Sequence, residues 1–309
     1  IGQEVVAETI INSIKADKIP NAYLFTGIRG IGKTTTARIV AKALNCSNGI
    51  DNLCKENFCE SCKSISESSH IDVLEMDAAS KTGVDDVRDL IEFSRYGPTS
   101  AKYKIFIIDE VHMLTREAFN ALLKTLEEPP PHVIFIFATT DPHKVPQTIL
   151  SRTQRYDLKR IKYNLIVKQL KIITDNDNFE YEEEALGLIA QKSEGSLRDA
   201  LSLLDQIIAY SDNKVLLNDA KDILGIIDER VYLNLLINIS AKKPLETLEV
   251  LKESIDSGVS IHNFVSGYVN FLRLCLHVLY NYERGDSFLS ENCITKLKEN
   301  KSLFNNSNI

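Results

Sequence analysis

An α/β fold built on a parallel sheet, followed by an all-helical region, is predicted by three observations. A glycine-rich loop joins an apolar run to a helical stretch, two continuous apolar runs end in polar residues, and strand patterning nearly vanishes from Lys162 onward. Glu4 to Ala16 reads as a helix, Ala22 to Phe25 as a buried strand, and the stretch through Ala37, Ile39, Val40 and Ala43 as the helix after the loop. Ile71 to Met76 predicts a short strand and Val84 to Phe93 an amphipathic helix. Lys104 to Ile108 reads as a second buried strand, and Thr115 to Glu127 as a helix stopped by Pro129-Pro130-Pro131. Val133 to Ala138 is a third buried strand, leading into Thr139-Thr140. Helices then follow at Leu165 to Thr174, Glu182 to Lys192 and Leu197 to Ala209, with further apolar-periodic segments from Val231 to Tyr280. No internal repeat is visible, and the Asn/Ser-rich end from Asn300 is expected to fray.

The loop itself carries chemistry. Gly27-Ile28-Arg29-Gly30-Ile31-Gly32-Lys33-Thr34-Thr35 has the pattern of a phosphate-binding loop between strand and helix. Gly27, Gly30 and Gly32 let the backbone close around phosphate oxygens, and the helix N-terminus points N-H groups at the anion. Lys33 then reaches the terminal phosphates of a nucleoside triphosphate, and the Thr34 hydroxyl is suited to magnesium, with Thr35 beside it. The run Ile105-Phe106-Ile107-Ile108 ends in Asp109-Glu110, which places two acids where parallel sheets bind ligands. Asp109 is the expected magnesium partner of Thr34 and Glu110 the base that polarises an attacking water. The competing readings are a chance glycine turn and two solvated acids capping a strand; the two motifs together argue against both.

At 309 residues, two or three domains are expected. No apolar stretch approaches the roughly 20 residues of a membrane span, no signal peptide is visible, and a cytoplasmic protein is expected. A net charge of -7 argues against coating nucleic acid by bulk electrostatics, while leaving local basic contacts open. The chain begins at Ile1 without an initiator Met, so a longer parent chain is expected.

Four of the six cysteines, Cys46, Cys54, Cys59 and Cys62, follow a C-x7-C-x4-C-x2-C spacing. Cys59-x-x-Cys62 is a usual half-site for zinc, four thiolates fill its tetrahedron, and disulfides are the weaker explanation in a cytoplasmic setting. Such a site is closed to chemistry. Cys275 and Cys293 read as buried or incidental thiols.

The succession GIRGIGKTT, the four cysteines, DAASKTGVDDVRDL, KIFIIDEVHMLTREAFNALLKTLEEPP, FATTDPHKVPQTILSRT and EGSLRDALSLLDQ resembles the gamma/tau family, the ATPase subunits of the bacterial replicative clamp loader of DNA polymerase III. The resemblance runs from the first residue through Tyr210. It implies an AAA+ nucleotide-binding domain over residues 1–160 with a zinc-binding insertion at 46–62, a three-helix lid over 161–225, and a helical collar domain over 226–309, expected to be incomplete. The longer C-terminal part of tau and the family's basic N-terminal segment are, by the resemblance, expected to lie outside this sequence. The implied cofactors are ATP, magnesium and zinc. The implied partners are the other subunits of a pentameric ring, the sliding clamp and primer-template DNA, with no membrane.

By the same resemblance Thr140 matches the first sensor, which helps place the lytic water. Arg152 in Ser151-Arg152-Thr153 matches the arginine finger that enters a neighbour's ATP site, with Thr153 standing where the family has Cys. Arg198 matches the second sensor, an Arg of the lid that reads the phosphates. The cysteine spacing departs from the family's tighter C-x2-C-x2-C.

Ser80-Lys81-Thr82 at an expected helix start offers hydroxyl, ammonium and N-H donors to DNA phosphate, with Arg88 on the following helix, and the resemblance implies that Lys124 links DNA to the ATP site. A solvated charge is the competing reading for each. The sequence therefore suggests an ATP-hydrolysing clamp-loader motor. The alternatives are a weakly or non-hydrolysing scaffold of the same assembly and another AAA+ DNA-remodelling ATPase.

Overall fold

The computed structural model describes residues 1–54, 58–256, 260–280 and 289–300. By internal contacts these form two compact units, one of Ile1–Asn178 with Ala190–Leu204 and the other of Phe179–Ile189 with Asp205–Ile309.

The first unit runs α1 (Glu4–Lys15), β1 (Ala22–Thr26), α2 (Lys33–Asn45), α3 (Glu60–Ser66), β2 (Val73–Asp77), α4 (Val84–Ser94), β3 (Lys104–Asp109), α5 (Arg116–Glu127), β4 (Val133–Thr139), α6 (Gln147–Leu150), β5 (Gln154–Asp157) and α7 (Tyr163–Asn176). All five strands are parallel, in the order β2-β3-β4-β1-β5. The apolar runs are continuous because both faces are covered, and alternate residues supply each face. Leu24, Phe106, Ile108, Phe135 and Phe137 pack with Val87 and Leu90 of α4 and Ala118, Leu122 and Leu126 of α5. Tyr23, Phe25, Ile105, Ile107, Ile134 and Ile136 pack on the other face with Ala37, Val40, Ala41 and Leu44 of α2. Each large buried side chain contributes roughly 1.5–3 kcal/mol of transfer free energy, so the sheet is a stiff platform for what stands at its carboxyl edge.

Local signals set the helix limits. Thr115 caps α5 by accepting from the Ala118 N-H at 3.2 Å, Glu117 lies in the first turn, and the prolines stop it.

The structure bears on the sequence reading at three places here. The strand expected from Ile71 begins at Val73, because Ile71 is exposed and Asp72 is fully buried as the acceptor of four hydrogen bonds, from Thr99 N, Ser100 N, Ser100 Oγ and Ala101 N. Its carboxylate anchors the loop before β3. The helix expected from Val84 to Phe93 is found at Val84–Ser94 with Gly83 as N-cap, so Ser80-Lys81-Thr82 precede it rather than open it. Finally, β5 has only Tyr156 buried among polar neighbours, too weak a pattern to announce a strand, yet it pairs with β1 along its whole length.

Next come β6 (Glu180–Tyr181), α8 (Glu183–Lys192), α9 (Leu197–Tyr210), β7 (Lys214–Val215), α10 (Leu217–Leu224), α11 (Glu229–Ser240), α12 (Pro244–Asp256), α13 (Ile261–Leu279) and α14 (Glu291–Glu299). The two-residue β6 and β7 pair in parallel and were not legible as strands. The second unit's core gathers Tyr232, Leu233, Leu236, Phe264, Phe271, Cys275, Cys293 and Leu297. Gly267 lets α13 approach α11, since a Cβ there would meet the Tyr232 hydroxyl. The expected frayed end, residues 301–309, lies outside the described residues. Among the described residues no helix is long and apolar enough to cross a membrane.

Candidate nucleotide site and cysteine cluster

The carboxyl ends of β1, β4 and β3 are neighbours, so the loop after β1, Thr139-Thr140 after β4, and Asp109-Glu110 at the end of β3 meet at one crevice. The loop needs its glycines. Gly27 has φ 143°, and a Cβ on it would collide with the Ile31 side chain and lie 2.7 Å from the Leu158 carbonyl oxygen. Gly30 has φ 77°, and a Cβ there would run into Ser196 Oγ. Gly32 is the N-cap of α2, and Lys33, Thr34 and Thr35 form the helix's first turn.

Lys33 is 5% exposed, with Nζ donating to the Ile28 carbonyl at 3.2 Å and standing 3.9 Å from Glu110 Oε1. Burial pulls its ammonium below the usual lysine value; the Glu110 and Asp109 carboxylates oppose that, and the positive charges of Arg198 and Arg29 add to it. Thr34 Oγ1 is hydrogen-bonded to Asp109 Oδ2, while Asp109 Oδ1 accepts from the Glu110 N-H at 2.8 Å. Thr35 is exposed.

Glu110 takes up a left-handed backbone, φ 45° and ψ 43°, one of eight non-glycine residues with positive φ among the described residues. Its Oε2 accepts from the Thr140 N-H at 3.2 Å and the Thr140 hydroxyl at 2.9 Å. His112, which no sequence pattern singled out, places Nδ1 at 3.0 Å from Thr139 Oγ1 and 3.4 Å from Glu110 Oε2. The segment Gly195-Ser196-Leu197-Arg198 closes on the loop, the Arg198 N-H donating to the Gly30 carbonyl at 3.3 Å. Lys33, Thr34, Asp109, Glu110, Thr140 and Arg198 are thus brought together.

Arg152 is placed differently. Its guanidinium donates to Glu127 Oε1 at 2.6 Å, the Thr148 carbonyl at 2.8 Å and Ser151 Oγ at 3.2 Å, all within the segment around α6 and the end of α5. Glu127 was also unannounced in the sequence.

The donors expected from Ser80 and Lys81 are largely committed. Both N-H groups, at 3.2 and 3.0 Å, and the Ser80 hydroxyl, at 3.0 Å, bond the Asp77 carbonyl, leaving the exposed Lys81 ammonium and the Thr82 hydroxyl as the candidates there. Arg88 pairs with Asp85 at 2.9 Å. Lys124 is exposed on α5, and the Thr115 N-H reaches the Thr82 carbonyl at 3.2 Å, which ties the two candidate DNA-contact segments together.

The four cysteines converge. Their sulfurs lie within 4.8 Å of one another, with Cys46 and Cys54 at 3.7 Å. A tetrahedral zinc with Zn–S bonds of about 2.3 Å sets sulfurs about 3.8 Å apart, so this cluster fits the ion with a small contraction. Burial pushes the Cys59 thiol up, but hydrogen bonds from Cys62 and Ser47 outweigh it and bring it down to about 6; burial and its sulfur neighbours push Cys62 up.

A five-stranded parallel sheet, a phosphate loop, an acid pair and the Gly195–Arg198 segment closing on the loop define a P-loop ATPase of the AAA+ class. Residues 2–162 match the family described as DNA polymerase III, delta subunit, and residues 165–213 match that described as DNA polymerase III clamp loader subunit, ATPase lid domain. The tau subunit of Bacillus subtilis DNA polymerase III is 44% identical over 274 residues, covering 88% of this chain and 48% of that one. The gamma subunit of Buchnera aphidicola subsp. Schizaphis graminum is 38% identical across 99% of this chain and 85% of its own. The Holliday junction branch migration motor RuvB of Thermotoga maritima superposes with a TM-score of 0.54 at 16% identity, covering 96% of this chain and 95% of that one, a likeness of fold alone. The chain belongs to the gamma/tau clamp-loader family of DNA polymerase III. It spans about half the length of the Bacillus relative.

Proposed function

We propose that this chain is the ATP-hydrolysing motor subunit of a replicative clamp loader, which loads the sliding clamp onto primed DNA. The observation that carries the reading is the assembly of Lys33, Thr34, Asp109, Glu110 and Thr140 in one crevice of a clamp-loader family member. Backbone N-H groups of the loop and the α2 N-terminus hold the phosphates, with Lys33 against the terminal ones. Magnesium, when bound between Thr34 and Asp109, would neutralise the charge that develops on the phosphoryl oxygens. Glu110 takes the proton of the attacking water on its carboxylate, and Thr140 holds that carboxylate in place. Arg198 reads the phosphates from the lid. Arg152 leaves its own site free and acts on a neighbour's.

The remaining assignments rest on the same reading. Residues 1–160 are the nucleotide-binding domain, 161–225 the lid and 226–309 the collar. Support for ring assembly through the collar comes from α13, whose residues Ile261, Val265 and Val269 share one face and are 64%, 53% and 60% exposed. The cysteine cluster holds a structural zinc, Lys81, Thr82 and Lys124 contact DNA phosphates, and the protein works in the cytoplasm. The alternative reading is a weakly or non-hydrolysing scaffold of the same assembly that lends a finger. The intact Glu110 and Lys33 favour the motor. The test is ATPase activity of the full-length chain with its partner subunits: sliding clamp and primed DNA together are expected to stimulate it, and a rate indifferent to both overturns the motor reading.

A further inference from the structure

We propose that Glu127 is the resting partner of Arg152, and that the guanidinium must leave this carboxylate before it can serve a neighbouring ATP site. The inference rests on the trans-finger reading above. In the isolated chain Nη2 of Arg152 donates to Glu127 Oε1 at 2.6 Å, and Nη1 is turned back onto the Thr148 carbonyl at 2.8 Å and Ser151 Oγ at 3.2 Å. A guanidinium whose charge is matched by a carboxylate and whose fork is spent on its own chain has little to give to the negative charge spreading over a transferring phosphoryl group.

The contact is a threshold rather than a lock. The two side chains are 33% and 51% exposed, and ion pairs in such surroundings are weak enough to be exchanged for a polyphosphate. Placement adds the regulatory element. Glu127 ends α5, and Lys124, the candidate DNA contact, lies one turn earlier on the same helix, close enough in sequence for the two side chains to be neighbours. Duplex DNA drawn to Lys124 acts on the helix that holds the finger back, so DNA engagement and finger release share one rigid element.

The experiment uses the full-length chain assembled with its partner subunits and sliding clamp, and measures ATP turnover with and without primed DNA. Glu127→Gln and Glu127→Ala are expected to raise the DNA-independent rate roughly two- to fivefold, the scale of a lost half-exposed ion pair, while the DNA-saturated rate holds and the stimulation ratio falls accordingly. Adding Arg152→Ala should abolish the gain. If either Glu127 variant leaves the DNA-independent rate unchanged, or lowers both rates together, Glu127 is a structural neighbour only and the proposal is overturned. Arg152→Ala measured alone separates the two ideas. Normal turnover in that variant sinks the finger reading itself, whereas a dead Arg152→Ala beside an unaltered Glu127→Gln sinks only the resting contact.

Discussion

The Thr34 hydroxyl and the Asp109 carboxylate, 75 positions apart in the chain, are hydrogen-bonded to each other across the crevice. The contact joins the first turn of α2 to the end of β3. Each group is held by rigid structure, Thr34 by a helix whose Ala37, Val40 and Ala41 are buried and Asp109 by a strand with four fully buried neighbours. The site is therefore organised by the fold rather than by mobile side chains, and the consequences of removing its members can be stated separately.

Lys33→Ala is expected to weaken ATP binding roughly 10- to 100-fold, the loss of a charged hydrogen-bonding partner in a loop otherwise built from backbone donors. A nucleotide titration of the purified variant checks it. Unchanged affinity removes Lys33 from the phosphate site.

Glu110→Gln preserves the shape that Thr140 grips but cannot accept the proton of water. Binding should persist while turnover falls about 100-fold or more. Parallel binding and single-turnover measurements distinguish this from a general collapse, and a normal hydrolysis rate would mean that another group holds the water.

For the cysteines, one tightly held zinc per chain is expected. Cys59→Ser or Cys62→Ser should lower metal content and local order without removing catalysis, because four thiolates close the coordination shell. Metal analysis of protein prepared without added zinc decides the matter: substoichiometric metal with all four thiols rapidly alkylated counts against it.

Asp72 supplies a pH dependence. Burial acts to raise its carboxyl, but the hydrogen bonds from Ser100, Thr99 and Ala101 outweigh that and hold it below the ordinary 3.8. A lowered folded value means that the stabilisation is complete above the unfolded value and is lost as pH falls through the folded one. Asp72→Asn should lower stability at neutral pH by about 1.5–3 kcal/mol. Its melting temperature should also decline less than the parent's between about pH 5 and pH 2. Parallel declines in thermal melts would show that Asp72 is not the titrating group.

Arg152→Ala should cut assembled turnover about 1,000-fold or more, since a finger stabilises the charge of the phosphoryl transition state in the adjoining subunit. Mixing decides whether it acts in trans. Subunits carrying Arg152→Ala keep Glu110 and subunits carrying Glu110→Gln keep Arg152, so mixed rings contain some complete composite sites and recover activity. Co-assembled mixtures that stay inactive refute the assignment.

The sheet and its nucleotide loop were legible because their signals are local. Continuous apolar runs at 22–25, 105–108 and 133–138, short and bounded by turn residues, read as strands covered on both faces, and glycine spacing with Lys33 and Thr34 encodes a loop whose chemistry depends on residue type. The cysteine spacing was likewise visible, although only folding gathers four sulfurs within 4.8 Å. What the sequence left undecided depended on distant partners. Gln154–Asp157 becomes a strand through pairing with β1, not through its own pattern. The N-H groups of Ser80 and Lys81 look available until the Asp77 carbonyl takes them. His112 and Glu127 carry no motif, and their significance comes from approaching Glu110 and Arg152, respectively, at 3.4 and 2.6 Å. Residue types and spacing determined which chemistry this chain can perform; the tertiary structure alone decided which side chains restrain it, because a contact between residues far apart in sequence leaves no period or spacing to read.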